Sequence, residues 1–176
     1  MKNSNGFKLV YALLVAILAF GAFAAPSAQA APKGNTIVDV ALAANAESGE
    51  FSILIAALQA ADPAVIRTLS GKGQFTVFAP TDAAFVSLLG ELGVSAEQLL
   101  SDKALVTQVL LYHVARGNRD SAEVLASSRI RTLEGGFLYQ SGGVLTDANS
   151  RTSNIIAVDI KASNGVIHVI DRVVLP

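Results

Sequence analysis

The spacing of apolar positions changes character twice along this chain. Leu9 to Phe23 is an almost unbroken apolar run behind two lysines, Lys2 and Lys8. From Thr36 to about Val114 the apolar residues recur three and four apart, the helical period. "TIVDVALAA" carries Ile37, Val40, Ala41 and Ala44 on one face, with Asn35 placed to cap it. "FSILIAALQAA" does the same with Phe51, Leu54, Ile55 and Leu58, and Asp62-Pro63 suits the start of a further helix, "PAVIRTL". After Gly71 and Gly73, "FTVFA" reads as a short strand, ended by Pro80-Thr81-Asp82, where Thr81 or Asp82 can cap "AAFVSLL". "SAEQLL" and "DKALVTQVLLYHV" predict more helix. From Arg129 onward the runs are short and broken by Gly, Asn and Ser: "RIRTL", "FLYQ", "VLTD", "NIIAVDIK", "GVIHVID". These predict strands. Helices first and strands mostly later imply an α+β domain.

The apolar run near the start is too short to span a membrane, which takes roughly twenty residues. It ends in "APSAQA", a small-x-small pattern, so we expect a secretory signal over residues 1–30, cut after Ala30. Residues 31–35 read as a polar lead-in and 36–176 as the domain. Cleavage removes Lys2 and Lys8 and no acid, taking the formal charge from −1 to −3. A mildly acidic domain with no basic cluster gives little reason to bind nucleic acid or anionic lipid. With no cysteine there is neither disulfide nor thiol chemistry, so stability must come from packing.

Tests for chemistry mostly fail. Ser141 has Gly143 after it but Tyr139 where a nucleophile elbow needs glycine. Gly71-Lys72 lacks the rest of a phosphate loop. "DANSRTSN" puts Arg151 and Thr152 where a calcium loop wants a ligand and a glycine. Two histidines and no cysteine leave a metal site short of ligands. No cofactor, no metal and no catalysis are expected.

Asn164-Gly165 between two β runs is a strong hairpin signal. With those two as the central turn residues, Lys161 faces His168, Ile160 faces Val169 and Asp159 faces Ile170. One face then carries Val158, Ile160, Ala162, Ile167 and Val169, the core face. The other carries Asp159, Lys161, Val166, His168 and Ile170. His168 is therefore expected at the surface or half-buried, hydrogen-bonded by Asp159 or a backbone carbonyl. A one-residue slip would invert the assignment.

Three segments, "FTVFAPTDAAF", "LLYHV" and "NGVIHVIDRVVLP", together resemble a fasciclin-like domain, and the resemblance covers nearly all of the chain after residue 30. It implies one compact domain, a β-sandwich or wedge of about seven strands with several helices packed at one side. It also implies an exported, non-catalytic adhesion module, secreted or periplasmic, meeting a cell-surface or matrix protein or polysaccharide. The alternative it implies is a carrier of a small apolar ligand. We take the domain to be monomeric in solution and not inserted in a membrane. Asp159 and Ile160 match an Asp-Ile pair linked to adhesion in animal matrix relatives, though Val158 and Lys161 depart from their neighbours there. Asp159, Ile160, Lys161, His168, Tyr112 and His113 are thus the partner-binding candidates. Thr81, Asp82, Asn164 and Gly165 are structural. At the end of its helix, Tyr112 and His113 are expected to be partly buried, their polar atoms seeking partners.

Overall fold

A computed structural model describes residues 34–176; the expected signal sequence lies outside them. Three helices come first, α1 (Ile37–Ser48), α2 (Ser52–Ala60) and α3 (Pro63–Leu69), then strand β1 (Phe75–Pro80). Next are α4 (Asp82–Leu92), α5 (Ala96–Ser101), α6 (Lys103–Tyr112), β2 (Val114–Arg116) and α7 (Ser121–Ala126). The rest is strand: β3 (Arg129–Arg131), β4 (Phe137–Ser141), β5 (Val144–Thr146), β6 (Thr152–Ala162) and β7 (Gly165–Ile170). The α+β reading holds.

Local chemistry explains most of the boundaries. Thr36, one residue after the expected cap, closes a capping box with Asp39 at the start of α1. Asp62 caps α3, with Pro63 in the first turn. Thr81 Oγ1 accepts from Ala84 N and caps α4. Asp82 works further away: its carboxylate accepts from Ser52 N at 3.1 Å and Ile53 N at 2.8 Å, capping α2, whose own cap residue Phe51 has no suitable side chain. The helix through "LLYHV" stops earlier than its pattern predicts. His113 is its cap, and Val114 to Arg116 leave it to pair with β1. Tertiary pairing overrides the local period there.

The seven strands form one sheet in the order β2-β1-β7-β6-β5-β4-β3. β1 and β7 are parallel and every other neighbouring pair is antiparallel. The two edges nearly meet: Ala115 bridges Thr132, and Leu133 N donates to Val114 O at 2.7 Å. The sheet is thus wrapped into a near-barrel with two cores. One lies between sheet and helices and holds Leu54, Phe75, Val77, Phe85, Leu110, Ile167 and Val169. The other fills the wrapped sheet with Phe78, Tyr112, Ile130, Leu138, Leu145 and Ile170. β7 is central, and all six of its residues are buried. A fully buried side chain such as Ile170 stabilises by roughly 1.5–3 kcal/mol.

The final hairpin departs from its expected register. Ala162 pairs with Gly165, so Ser163 and Asn164 are the central residues, Lys161 faces Val166 and Ile160 faces Ile167. The cause is the buried side chain of Asn164. Its Oδ1 accepts from Ile37 N at 2.8 Å, and its Nδ2 donates to Leu69 O at 2.6 Å and Gly71 O at 3.0 Å, clipping the turn to the helix layer. Gly165 is required because any Cβ there would run into the Phe75 carbonyl. Ile160, Ala162, Ile167 and Val169 do face the helix core, as expected, but Val158, assigned to the same face, is 49 % exposed where the register of β6 shifts. On the opposite face, expected to be mixed, the β7 residues are buried as well: His168 and Ile170 are 0 % exposed, while Lys161 on β6 stays exposed. A strand flanked by β1 and β6, with helices on one side and the barrel interior on the other, has no wet face.

Candidate functional site

β6 cannot follow β7 in even register: it shifts between Ile155 and Ala157 and again between Ala157 and Ile160. The second bulge puts Asp159 at φ 61°, a left-handed conformation that Asp tolerates better than most residues. There its carboxylate accepts from Ser121 Oγ at 2.6 Å and Ser121 N at 2.8 Å, pinning the start of α7 to the sheet. Those bonds, from the Ser121 hydroxyl first and its backbone second, hold the Asp159 carboxyl below the usual carboxylate range. Asp159 is therefore a structural tie as well as a surface group.

His168 lies beneath. Asp159 N donates to its Nδ1 at 3.3 Å, so Nε2 carries the proton and donates to Arg119 O at 3.0 Å. Its ring stacks on Phe78, 5.8 Å between centroids. Buried Thr76 works alongside, its hydroxyl donating to Gly117 O at 2.8 Å and accepting from Arg119 N at 2.9 Å. His168 is thus no surface residue. It is held partly by a backbone carbonyl, as expected, but by the amide of Asp159 and not its carboxylate, and it supports the loop before α7 from below.

That loop, the bulge and α7 frame an open groove of about 440 Å³, lined on one side by Asn118, Asp120 and Glu123 and on the other by Asp159 and Lys161. Three carboxylates against one lysine make it acidic. Beside it on β6, Ile156 and Val158 stand 57 % and 49 % exposed, so the bulge region presents apolar side chains next to charge. Among the described residues no three potential metal ligands converge, these carboxylates included. Ile160 points inward as partly buried packing against the helix-side core, while Lys161 is exposed.

Tyr112 and His113 do not join this surface. Tyr112 fills the barrel core, its hydroxyl donating to Phe137 O at 2.7 Å and accepting from Ala148 N at 3.1 Å; burial raises its pKa. His113 Nδ1 donates to Val109 O at 2.7 Å, and its Nε2 accepts from Val174 N at 3.2 Å. Full burial pushes its pKa down to about 4. Both find the partners the sequence expects, and both are buried more deeply than expected.

His113 also reaches the wall of a second feature, a partly open cavity of about 230 Å³ bounded by α2, α4, α5 and α6. Leu54, Phe85, Leu88, Val106 and Leu110 line it, and Leu92 and Leu105, 50 % and 40 % exposed, stand at its rim. The imidazole is its one polar wall group, and both ring nitrogens are already engaged.

The model of the fasciclin domain matches residues 49–176. The chain belongs to the fasciclin domain family. It is 39 % identical over 153 residues to Protein sll1483 of Synechocystis sp., covering 85 % of this chain and 78 % of that protein. Immunogenic protein MPB70 of Mycobacterium bovis is 32 % identical over 161 residues, covering 88 % and 78 %. Pig transforming growth factor-beta-induced protein ig-h3 is 35 % identical over 147 residues; that match takes in 82 % of this chain and only 20 % of the longer protein. Among solved structures, the domain pair of the insect cell adhesion molecule fasciclin I superposes with a TM-score of 0.59 at 20 % identity. It covers 73 % of this chain and 46 % of that one, a likeness of fold. In this fasciclin domain the three family segments fall at the structural joints: β1 into α4, the end of α6, and the β6–β7 turn together with β7 and the C-terminal segment.

Sequence reasoning missed α7 and with it Asp120, Ser121 and Glu123. The signal was there: Asp120 followed three residues later by Glu123, a helix-start pattern in which Asp120 Oδ1 accepts from Glu123 N at 2.9 Å.

Proposed function

We propose that this fasciclin domain is an exported, non-catalytic surface-interaction module that contacts a cell-surface or matrix partner through the bulge of β6 and the groove beside it. The observation that carries this reading is the bulge itself. Asp159, tied to Ser121 by two hydrogen bonds, lines an acidic groove, and the same bulged stretch of β6 carries exposed Ile156 and Val158. Apolar anchors rimmed by fixed charge are what a protein interface needs at its centre and edge. Export rests on Lys2 and Lys8, the apolar run and the Ala-x-Ala end at Ala30, with the mature chain starting at Ala31. Secreted and periplasmic destinations both fit that signal. The test is adhesion of coated beads. Ile156→Ser with Val158→Ser should reduce attachment to a cell surface, while Val86→Ser, which removes a 62 % exposed valine from α4, should leave it intact. Equal attachment by wild type and the double variant refutes the site.

A second reading is favoured by the cavity among the helices. An apolar space of this size can hold a small uncharged molecule, which would make the module a carrier. Absorbance and mass spectra of an organic extract of protein purified from its native host test it directly.

A further inference from the structure

We propose that Leu175 and Pro176, beyond the buried Val173 and Val174 of the segment following β7, form a lid over the helix cavity, and that the ligand it admits is an uncharged, hydrocarbon-like molecule of about two fused rings. The proposal rests on the carrier reading above. Every other residue of the cavity wall belongs to a helix or to β1, save His113, which caps α6. Leu175 alone comes from a stretch with no regular backbone pairing. Asp171 and Arg172 at its start are bonded to Asn154 and Ser153, and beyond them the stretch is held by single bonds: Val174 N to His113 Nε2 at 3.2 Å, Leu175 N to Asp147 Oδ2 at 2.9 Å, and Asn149 Nδ2 to Pro176 O at 3.2 Å. Its root is firmly set, because Val173 is buried in the helix-side core and Val174 in the barrel core. Beyond that root Leu175 and Pro176 are only half-buried.

Glu91 of α4 adds a clasp. Its carboxylate meets Arg172 Nη1 at 3.5 Å and Arg151 Nη2 at 2.9 Å, so one side chain of a wall helix grips both the root of the lid and the loop that supplies Asp147. The wall could move aside at Leu175 by breaking a few hydrogen bonds. Away from Leu175 and the exposed rim side chains Leu92 and Leu105, opening would displace a helix or a strand.

The ligand class follows from the wall. A charged or strongly polar group would enter a space with no free partner, and burying it unpaired is costly. Size follows from volume: a dry cavity of about 150 Å³ lined by similar side chains holds benzene. At about 230 Å³ this one has room for a second ring.

Naphthalene is a suitable probe, with naphthalene-1-sulfonate as its charged counterpart, and stopped-flow fluorescence reads both rate constants. The full chain should bind naphthalene and not the sulfonate. Leu175→Ala should raise the association rate constant about tenfold, as expected when a gate is removed. Glu91→Gln, at a partly exposed site that spares the core, should raise it less. Leu88→Ala, in the wall on α4, should change mainly dissociation. An association rate unaltered by Leu175→Ala and by Glu91→Gln overturns the lid and leaves the ligand reading standing. Equal binding of the sulfonate overturns the ligand class. Failure of wild type to bind naphthalene overturns the carrier reading, and the lid falls with it.

Discussion

His113 and His168 occupy opposite sides of the sheet and do the same job in different surroundings. Each is buried, each has both ring nitrogens hydrogen-bonded, and each uses one of them to hold a segment that has no strand of its own. His113 holds Val174, under the helices; His168 holds Arg119, under the acidic groove. The bonds of His113 are fully buried, while those of His168 lie where water can reach the partner atoms. Near-identical side-chain chemistry thus supports an apolar cavity on one side and a wet surface on the other. The difference lies in what covers the histidine, helices in one case and a loop in the other.

The sharpest way to break the comparison is to remove each ring. His113→Ala enlarges an apolar void and leaves Val174 N–H without an acceptor, so we expect a loss of about 3–4 kcal/mol in urea denaturation. His168→Ala should cost about 2–3 kcal/mol, because the groups it abandons can rehydrate. A surface histidine would have cost less than about 0.5 kcal/mol, the usual size of a surface substitution. A His168→Ala loss equal to or above that of His113→Ala would mean that cover does not distinguish the two sites.

Acid gives a separate handle on His113. The His113 pKa is depressed from 6.5 to about 4, so the unfolded chain takes up a proton before the folded one does. Its contribution to stability is therefore complete above pH 6.5, shrinks as pH falls, and is lost through pH 4, about 3 kcal/mol in all. Denaturation at pH 7 and pH 4.5 should show this slope in wild type. His113→Gln, which cannot titrate, should flatten it.

Where partners are close in sequence, the fold can be read directly. Thr81 caps its own helix, Pro63 opens another, and the β runs after Arg129 are strands. Apart from the missed α7, whose start signal is local, the main failures involve partners far along the chain. The turn register depends on Asn164 reaching Ile37 and Leu69, 127 and 95 positions away. The burial of His168 depends on β1, a parallel neighbour from the other half of the chain. No hairpin pattern contains either fact, so the pattern sets Lys161 opposite His168, whereas it faces Val166. The site is half legible. Asp159, Ile160 and Lys161, singled out by the resemblance, lie at the bulge, but α7, which completes the groove, is one short helix directly behind a polar turn. The cavity is beyond reach, because four helices must be assembled before it exists.

Asp159 tests how the wet side is held together. Asp159→Ala frees Ser121 and relaxes a bulge with positive φ, so it should melt below wild type. Adhesion lost by this variant would therefore report a displaced α7 as readily as a missing contact. Asp159→Asn keeps one oxygen for Ser121 N and should melt closer to wild type. If both variants melt like wild type, the tie does not hold the loop.

The smallest structural effect, and the most direct test of the surface, comes from Glu123 and Lys161. Both side chains line the groove, both are exposed, and neither makes a side-chain hydrogen bond or ion pair in the structure. Glu123→Gln and Lys161→Ala should each change stability by less than about 0.5 kcal/mol. Their effects on adhesion should have opposite signs if the partner is basic. Removing a carboxylate weakens attraction to it, and removing the lysine strengthens it, with both effects fading as salt rises. Bead attachment measured at low and at physiological salt reads this out. Weaker attachment for Glu123→Gln together with stronger attachment for Lys161→Ala would show that the groove's net charge takes part in binding. Shifts of the same sign would mean that the partner reads individual groups instead, and no shift in either would move the contact off the groove and onto Ile156 and Val158 alone.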